Sequence, residues 1–556
     1  MSVSRKKEKR ITMLLFTNLK KYLTISTIFF INKYSRAIMP KYIATIICVL
    51  FTVAVVSDSA RILAVFPTPS ISHQIVFRPV MLELAKRGHE VVVITTDPIF
   101  SKDKTPANFT EVDVHDISYE MWAKFVEASS DKTKDFKDHL RIAMEQLLLI
   151  FKKQVETKEV QNVLRDTRKY DLLIVEACVR AALALTHVFK VPTIQFSSFG
   201  AVPGMYEVFG APTHMSLYPS PLRQRIHNLT LWEKFYEYYN QYLIEKIIND
   251  GVEAENNVLK ELFGPDVPPL PELAKNVEMI FLNLYPLWDF NRPVPPNIIY
   301  LGGLHQTPPK LLPKELKSYL DASTNGVIYM SLGTNVKPSS LPRDKVRILL
   351  KVFASLPYNI LWKWDQDELE GRPNNVKISK WFPQSDLLQH PNIKLFITQG
   401  GLQSTDEAIT AGVPLVGIPM LGDQWYNTEL YVLHKIGVKL DLETMTEDVL
   451  RNAIHAVLKD ETYKNNIIRL RREMHDQPLK PLDRAIWWIE HVLRHGGARH
   501  LRSPAAGISW AEYLELKLVL VIVAAFVLLL LIMFVLVKLV LRTSLKYSTA
   551  LKVKTH

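Results

Sequence analysis

From residue 61 to about residue 495 the chain alternates short apolar runs with amphipathic stretches. Arg61-Ile-Leu-Ala-Val-Phe66 reads as a buried strand, Pro67-Thr-Pro-Ser70 as a turn, and a helix is predicted from about Ser72 to Arg87, closed by Gly88. Val91-Val-Val-Ile94 is the next strand, completing a strand–helix–strand unit of the kind that builds parallel sheets. Asp171-Leu-Leu-Ile-Val175 and Thr193-Ile-Gln-Phe196 repeat the strand pattern around a helix at Ala181–Phe189. Residues 120–165 and 215–262 read as amphipathic helices, the second rich in aromatics, and such insertions commonly wall a substrate pocket. Four prolines between Pro286 and Pro296 predict a linker. A second series follows, with strands at Gly326–Met330, Ile360–Trp364, Leu395–Thr398 and Leu415–Pro419, and helices from Thr446 to about Arg494. The expected fold class is α/β: two doubly wound domains facing each other, with a ligand in the cleft at the C-terminal strand ends.

The ends follow a different pattern. Leu518 to Val537 carries no charge, and at about 1.5 Å per residue it covers roughly 30 Å, the thickness of a bilayer core. Lys538, Arg542 and Lys546 follow at once, which predicts a cytosolic tail over 538–556 after a single transmembrane helix over 518–537. At the front, Lys41 precedes an apolar run from Tyr42 to Val56, then Ser57-Asp-Ser-Ala60, which reads as a signal peptide over 39–60. Residues 1–38 read as an extension outside the fold. The expected division is then one α/β domain over 61–297, a second over 298–495, a juxtamembrane segment over 496–517 and the anchor.

The net charge of +12 suggests nucleic acid until it is located. Residues 1–41 carry +9 and residues 538–556 carry +5, so the remainder is at −2. The basic excess flanks apolar segments and is a topology signal, and no nucleic-acid partner is expected. Lys552 and Lys554 resemble a dilysine retrieval signal of endoplasmic-reticulum membrane proteins. Of two cysteines, Cys48 lies in the presumed signal, leaving Cys178 without an internal disulfide partner. Asn108-Phe-Thr110 and Asn228-Leu-Thr230 are glycosylation sequons that a luminal placement makes usable.

The stretch richest in chemistry runs Trp381-Phe-Pro-Gln384, Leu387-Leu-Gln-His390, Phe396-Ile-Thr-Gln-Gly-Gly401, Glu407, Gly412-Val-Pro414 and Asp423-Gln424 with Asn427. In residue type and spacing it resembles the signature of the UDP-glycosyltransferases, in their insect branch. The resemblance covers roughly residues 60–556 and is strongest from 299 to 430. It implies two Rossmann-like domains of the GT-B type and transfer of a sugar from a UDP-sugar to a hydroxyl of a small lipophilic acceptor, with an inverted anomeric centre and a β-glycoside as product. Glucose is the donor expected from the insect likeness.

A UDP-sugar needs an aromatic face for uracil, an acceptor for the ribose hydroxyls, N–H donors for the diphosphate, and acids or amides for the sugar. Trp381 suits uracil, with Gln384 and Glu407 suited to the ribose. Gln399, Gly400 and Gly401 end a strand where a helix begins, with Gln403 and Ser404 in its first turn, so backbone N–H groups and helix dipole meet phosphate. Ser331 and Thr334 form a second phosphate turn, and Asp423 and Gln424 are placed for sugar hydroxyls. Two departures from the family stand out: Gln399 occupies the place of a usual His, and Lys363 that of a base-contacting Arg.

His73, where strand meets helix in the first domain, matches the family's general base, the group that takes the acceptor proton. Its carboxylate partner is usually an Asp; here Asp171-Leu-Leu-Ile-Val-Glu176 puts Glu176 in that place. His305 and His390 are read as residues of the fold. No Asp-x-Asp motif adjoins the donor site, so no metal and no cofactor beyond the UDP-sugar co-substrate is expected. The expected partners are the UDP-sugar, the acceptor and a membrane, with oligomeric state open. The rival reading is a non-catalytic membrane partner that binds UDP-sugar without turnover, motivated by Gln399 and Glu176.

Overall fold

The computed structural model describes residues 59–101, 104–129 and 136–553. The expected N-terminal extension and all but the last two residues of the expected signal peptide lie outside the described residues. Among the described residues, thirteen parallel strands form two sheets. The first holds β1 (Arg61–Phe66), β2 (Glu90–Thr95), β3 (Phe109–Asp113), β4 (Leu172–Glu176), β5 (Thr193–Ser197), β6 (Val277–Leu282) and β7 (Ile298–Tyr300), in the order β3-β2-β1-β4-β5-β6-β7. The second holds β8 (Val327–Ser331), β9 (Asn359–Lys363), β10 (Val376–Ser379), β11 (Ile393–Thr398), β12 (Leu415–Gly417) and β13 (Gly437–Lys439), in the order β10-β9-β8-β11-β12-β13. In each sheet the strand order reverses at one place, between β1 and β4 and between β8 and β11. A crevice opens beyond the strand ends at such reversals.

The central strands are apolar on both faces because helices cover both: β1, β4, β5, β6 and β8 are buried throughout. Helix α1 (Ile71–Lys86) covers one face of the first sheet through Val76, Phe77, Val80, Met81 and Leu84. Phe66 stacks on Phe77 at 4.1 Å between ring centroids, joining the strand end to the helix that carries His73. Further along the chain lie α2 (Phe136–Glu156), α3 (Leu231–Asp250), α4 (Leu402–Ala411) and α5 (Gln424–Leu433).

Three sequence expectations are revised. The proline run Pro286–Pro296 is not the crossing between halves, because β7 beyond it pairs with β6 in parallel, Ile280 with Ile298. The second half therefore begins after Tyr300 rather than at residue 298. Residues 215–230 contain no helix; α3 begins at Leu231 behind Thr230, whose hydroxyl forms a capping box with Glu233. The helix expected at Ala181–Phe189 is split into a 3₁₀ turn at Arg180–Ala184 and a short α-helix at Leu185–Phe189.

The chain then returns to where it began. Helix α6 (Pro481–His495) places Ala485, Ile486, Ile489 and Val492 in the same buried cluster as α1 and the first sheet. Arg87 on that side reaches Glu490 at 3.1 Å, and Glu278 accepts from the Ala498 N–H at 3.0 Å. Helix α7 (Leu516–Val553) is continuous, and its Leu516–Tyr547 part is long and apolar enough to cross a membrane. It contains the expected span 518–537.

Because Ile489 is fully buried at this return contact, Ile489→Ala removes apolar volume that the α1 side cannot refill. The expected loss is about 2–5 kcal/mol, measured by chemical unfolding of the detergent-solubilised chain, with the exposed Leu479→Ala as a near-neutral control.

Candidate active site

Both strand-order reversals place chemistry at one crevice. In the first half, β1 ends at Phe66 and the chain turns through Pro67–Ser70 into α1, with His73 in the first helical turn. Gln74 fixes this turn from beneath, its amide donating to the carbonyls of Phe66 (3.0 Å) and Thr68 (3.2 Å). Neighbouring β4 ends at Glu176, which is fully buried. Its Oε1 lies 2.7 Å from His73 Nδ1, and its Oε2 accepts from the Thr68 N–H at 3.0 Å. That contact selects the tautomer with the proton on Nδ1 and leaves Nε2 as an acceptor. The ring edge of Phe199 packs against His73 at 5.7 Å.

In the second half, β8 leads into Ser331–Thr334. Gly333 has φ +76°, and a Cβ there would lie 2.0 Å from Gln399 Nε2. The positive φ favours glycine, and a side chain there would push the Gln399 amide out of its place. Lys363 donates to the Gly333 carbonyl at 2.8 Å and lies 4.7 Å over the Trp381 ring, so it braces the Ser331–Thr334 turn and the exposed indole together. Burial lowers the Lys363 pKa.

Strand β11 ends in Thr398, and Gly401 is the N-cap of α4. Gly400 has φ +90° with its Cβ direction filled by Thr428, and its carbonyl accepts from Asn427 at 2.9 Å. In the α4 turns, Gln384 Nε2 donates to Ser404 Oγ (2.9 Å) and Glu407 Oε2 (2.7 Å), while Tyr329 donates to Gln384 Oε1 at 3.1 Å. Burial pushes the Glu407 carboxyl up to about 7. Asp423 stands at the N-cap position of α5 without a side-chain bond to the helix N–H groups, and accepts from Asn427 Nδ2 at 2.9 Å. Burial raises it to about 6, partly opposed by the hydrogen bond from Asn427 and, more weakly, by His73. Gln424 Oε1 accepts from the N–H groups of Met420 and Leu421 at 2.8 Å each.

These elements enclose a cavity of about 770 Å³. His73, Ser331, Thr334, Lys363, Trp381, Gln384, Gln399, Gly401, Gln403, Ser404, Glu407, Asp423 and Gln424 all line it. Two residues singled out from the sequence do not: Glu176 lies behind His73, and Gly400 is packed beneath α5. Gln403 also spans the halves, its amide donating to the Ser198 carbonyl at 3.0 Å. Sequence reading missed the lining residues Cys178, Arg180, Tyr329 and Asn335. The first two follow Glu176 by two and four positions, which was a usable signal; Tyr329 lies in a strand that reads as pure core.

His73, Glu176 and Cys178 bring ligand atoms within 4.8 Å of one another, a grouping that no local Cys/His spacing reveals. Cys178 Sγ lies 4.0 Å from His73 Nδ1, and burial raises its thiol pKa well above 9.0. His305 lies outside the cavity lining, with Nε2 at 3.2 Å from the Gln403 carbonyl; burial lowers its pKa to about 4. His390 pairs with Asp321 at 3.1 Å, away from the crevice. Of the two sequon residues, Asn108 is bound through its amide to the carbonyls of Ala85 (2.6 Å) and His89 (2.9 Å), whereas Asn228 is exposed.

Residues 61–551 match the family described as UDP-glucoronosyl and UDP-glucosyl transferase. The chain belongs to this family. A similar protein, the ecdysteroid UDP-glucosyltransferase of Spodoptera littoralis nuclear polyhedrosis virus, is 36% identical over 483 residues, covering 84% of this chain and 94% of that one. UDP-glycosyltransferase UGT5 of Dactylopius coccus is 31% identical over 517 residues, covering 89% and 94%. Among solved structures, the kitacinnamycin glycotransferase superposes with a TM-score of 0.56 at 20% identity, covering 78% of this chain and 99% of that one. The calicheamicin glycosyltransferase CalG4 gives 0.53 at 17% identity, covering 78% and 98%. The two-sheet architecture is thus the GT-B fold, and this UDP-glycosyltransferase is an enzyme of sugar transfer from a UDP-sugar.

The raised Glu407 carboxyl has a sign consequence. Its folded pKa of about 7 lies above the ordinary 4.5, so the folded state holds this proton more tightly than the unfolded chain does. Stability from this group is present below about pH 4.5 and is lost as pH rises towards about 7. Glu407→Gln should flatten the fall in unfolding free energy over that window, read from denaturant midpoints at stepped pH.

Proposed function

We propose that this UDP-glycosyltransferase transfers glucose, with inversion, to a hydroxyl of a small lipophilic acceptor. The observation that carries the reading is the His73–Glu176 contact on one wall of a cavity whose other wall is the glycine-rich start of α4. The acceptor hydroxyl gives its proton to His73 Nε2 as its oxygen attacks the anomeric carbon. The bond from that carbon to the UDP oxygen breaks, and UDP leaves with the electron pair. Attack from the face opposite the leaving group converts an α-linked donor into a β-glycoside. Glu176 keeps the ring aligned and stabilises the imidazolium that forms.

In this reading Trp381 stacks on uracil, and Gln384 with Glu407 takes the ribose. The turns Ser331–Thr334 and Gln399–Ser404 meet the diphosphate with N–H groups and helix dipole, so no divalent metal is needed. Asp423 and the Gln424 amide nitrogen face the sugar hydroxyls. The acceptor lies against Met144, Leu147, Phe199, Val202 and Ile248, the apolar part of the same cavity. That wall, and the ecdysteroid named for the viral relatives, support a lipophilic, hydroxylated acceptor of steroid size. We place the enzyme in the endoplasmic-reticulum membrane, with α7 crossing once, the catalytic halves luminal, the basic tail cytosolic and Asn228 glycosylated. The apolar helix and its basic flank support that topology.

Microsomes containing the chain are expected to release UDP from UDP-glucose when given a panel of phenols and steroids. His73→Ala should lower kcat by about 10²–10⁴ while UDP affinity, measured by calorimetry, stays within about twofold. Equal turnover in that variant removes His73 from its role, and UDP affinity without turnover in the parent favours a non-catalytic binder. Chelation with EDTA should leave the rate unchanged; a rate lost to chelation and restored by Mg²⁺ or Mn²⁺ contradicts the metal-free account.

A further inference from the structure

Helix α3 is amphipathic in the wrong sense for a protein surrounded only by water. Its buried residues are Glu237, Gln241 and Ile244, and Glu237 is held by Arg223 at 3.3 Å. Its exposed side carries Trp232 (75% exposed), Phe235 (62%), Tyr236 (57%), Tyr239 (52%) and Tyr242 (58%). At 100° per residue these five fall within one arc of about 120° over the first three turns. Trp232 and Phe235 stack on each other at 5.5 Å, extending the apolar surface outward. A contiguous aromatic face of this kind marks an interaction surface, whereas scattered exposed apolar residues do not.

Three observations indicate what covers it. The residues are Trp, Tyr and Phe, with apolar bodies and, for Trp and Tyr, a polar atom each, which is the composition of the bilayer–water interface. The juxtamembrane segment packs onto the loop leading toward this helix: at Gly210, with φ +72°, a Cβ would lie 2.7 Å from the backbone of Ala505 and Ala506. Ala506 is only ten residues before the start of α7, a reach of at most about 35 Å. The inward side of the same helix then meets a second cavity of about 590 Å³, lined by Gln241, Glu245 and Ile248. That cavity shares Arg180, Val202, Pro221 and Ile248 with the cavity at His73.

We propose that the aromatic face of α3 lies in the interfacial layer of the membrane that α7 anchors, and that the second cavity admits lipophilic acceptor from that layer to His73. The helix is then a partition, with lipid headgroups on its aromatic side and the acceptor passage on its polar side. Arg180, braced by Glu255 and by the Ile248 carbonyl, stands where the two cavities meet. This inference rests on the membrane placement proposed above.

The test uses the full chain in phosphatidylcholine nanodiscs. Lipids brominated near the top of the acyl chain should quench the Trp232 emission, taken as the difference between the parent and Trp232→Phe, by at least twofold; lipids brominated near the bilayer centre should not. The variant Trp232→Ser/Phe235→Ser/Tyr239→Ser should keep kcat/KM for the water-soluble 4-nitrophenol within about twofold. It should lose fivefold or more for 4-nonylphenol, which partitions into lipid. Absence of quenching in a chain that resists carbonate extraction overturns the proposal while leaving the anchor intact. Release of the chain by carbonate overturns the anchor itself. Cross-linking of Tyr239→Cys to a second copy, without quenching, assigns the face to a dimer and overturns the membrane reading.

Discussion

The fully buried carboxylate of Glu176 is the constraint around which the crevice is arranged. An ionised carboxylate has no place at the end of a central apolar strand unless its oxygens are occupied. Both are: His73 takes one and the Thr68 N–H takes the other. Satisfying Glu176 therefore fixes two things at once, the path of the turn after β1 and the orientation of the imidazole. The parallel register of β1 with β4, Val65 beside Val175, brings the two strand ends level so that a side chain from one can hold the loop of the other. Thr68 and His73 both lie on the exit of the neighbouring strand, within reach of the Glu176 side chain.

The second half supplies the opposite wall through a different device. The Gln399 amide keeps its place against Gly333 because that residue carries no side chain, and Lys363 ties the turn to Trp381. The halves are then joined by polar contacts across the crevice, Gln403 to Ser198 and Trp288 Nε1 to Asn427 Oδ1 at 2.9 Å. Asn427 thereby touches the interdomain contact, the Gly400 carbonyl and the Asp423 carboxylate. One amide couples the spacing of the two halves to the aim of Asp423 beside the crevice.

Much of this was legible because it is written in local pattern. Continuous apolar runs marked central strands such as β1, β4, β8 and β11, though not β6, and the strand-end glycines with a helix start marked turns that border the crevice. Edge strands were not legible: Val376–Ser379 and Gly437–Lys439 are short, and only pairing with β9 and β12 makes them strands. Prolines misled at Pro286–Pro296, since a proline-rich loop inside one sheet looks the same as one between domains. That two backbone N–H groups claim the side-chain carbonyl of Gln424 was not legible, because nothing local shows it. Cys178 follows Glu176 by two positions, so its place beside His73 was within reach of the spacing that pairs Glu176 with that ring.

The aromatics of residues 231–242 show where periodicity informs and then stops. Their spacing correctly predicts a helix with one apolar face, and the natural assumption turns that face inward. The structure turns it outward because the inward side has another demand: Arg223 needs Glu237, and Gln241 and Glu245 border a cavity rather than a core. An apolar face pressed there would fill the cavity and leave Arg223 buried without its charge partner. Pattern alone specifies that a helix has two sides, but which side meets solvent is set by the charges and voids of its neighbours. In a chain whose C-terminal helix is long and apolar enough to cross a bilayer, an outward aromatic face need not meet water at all.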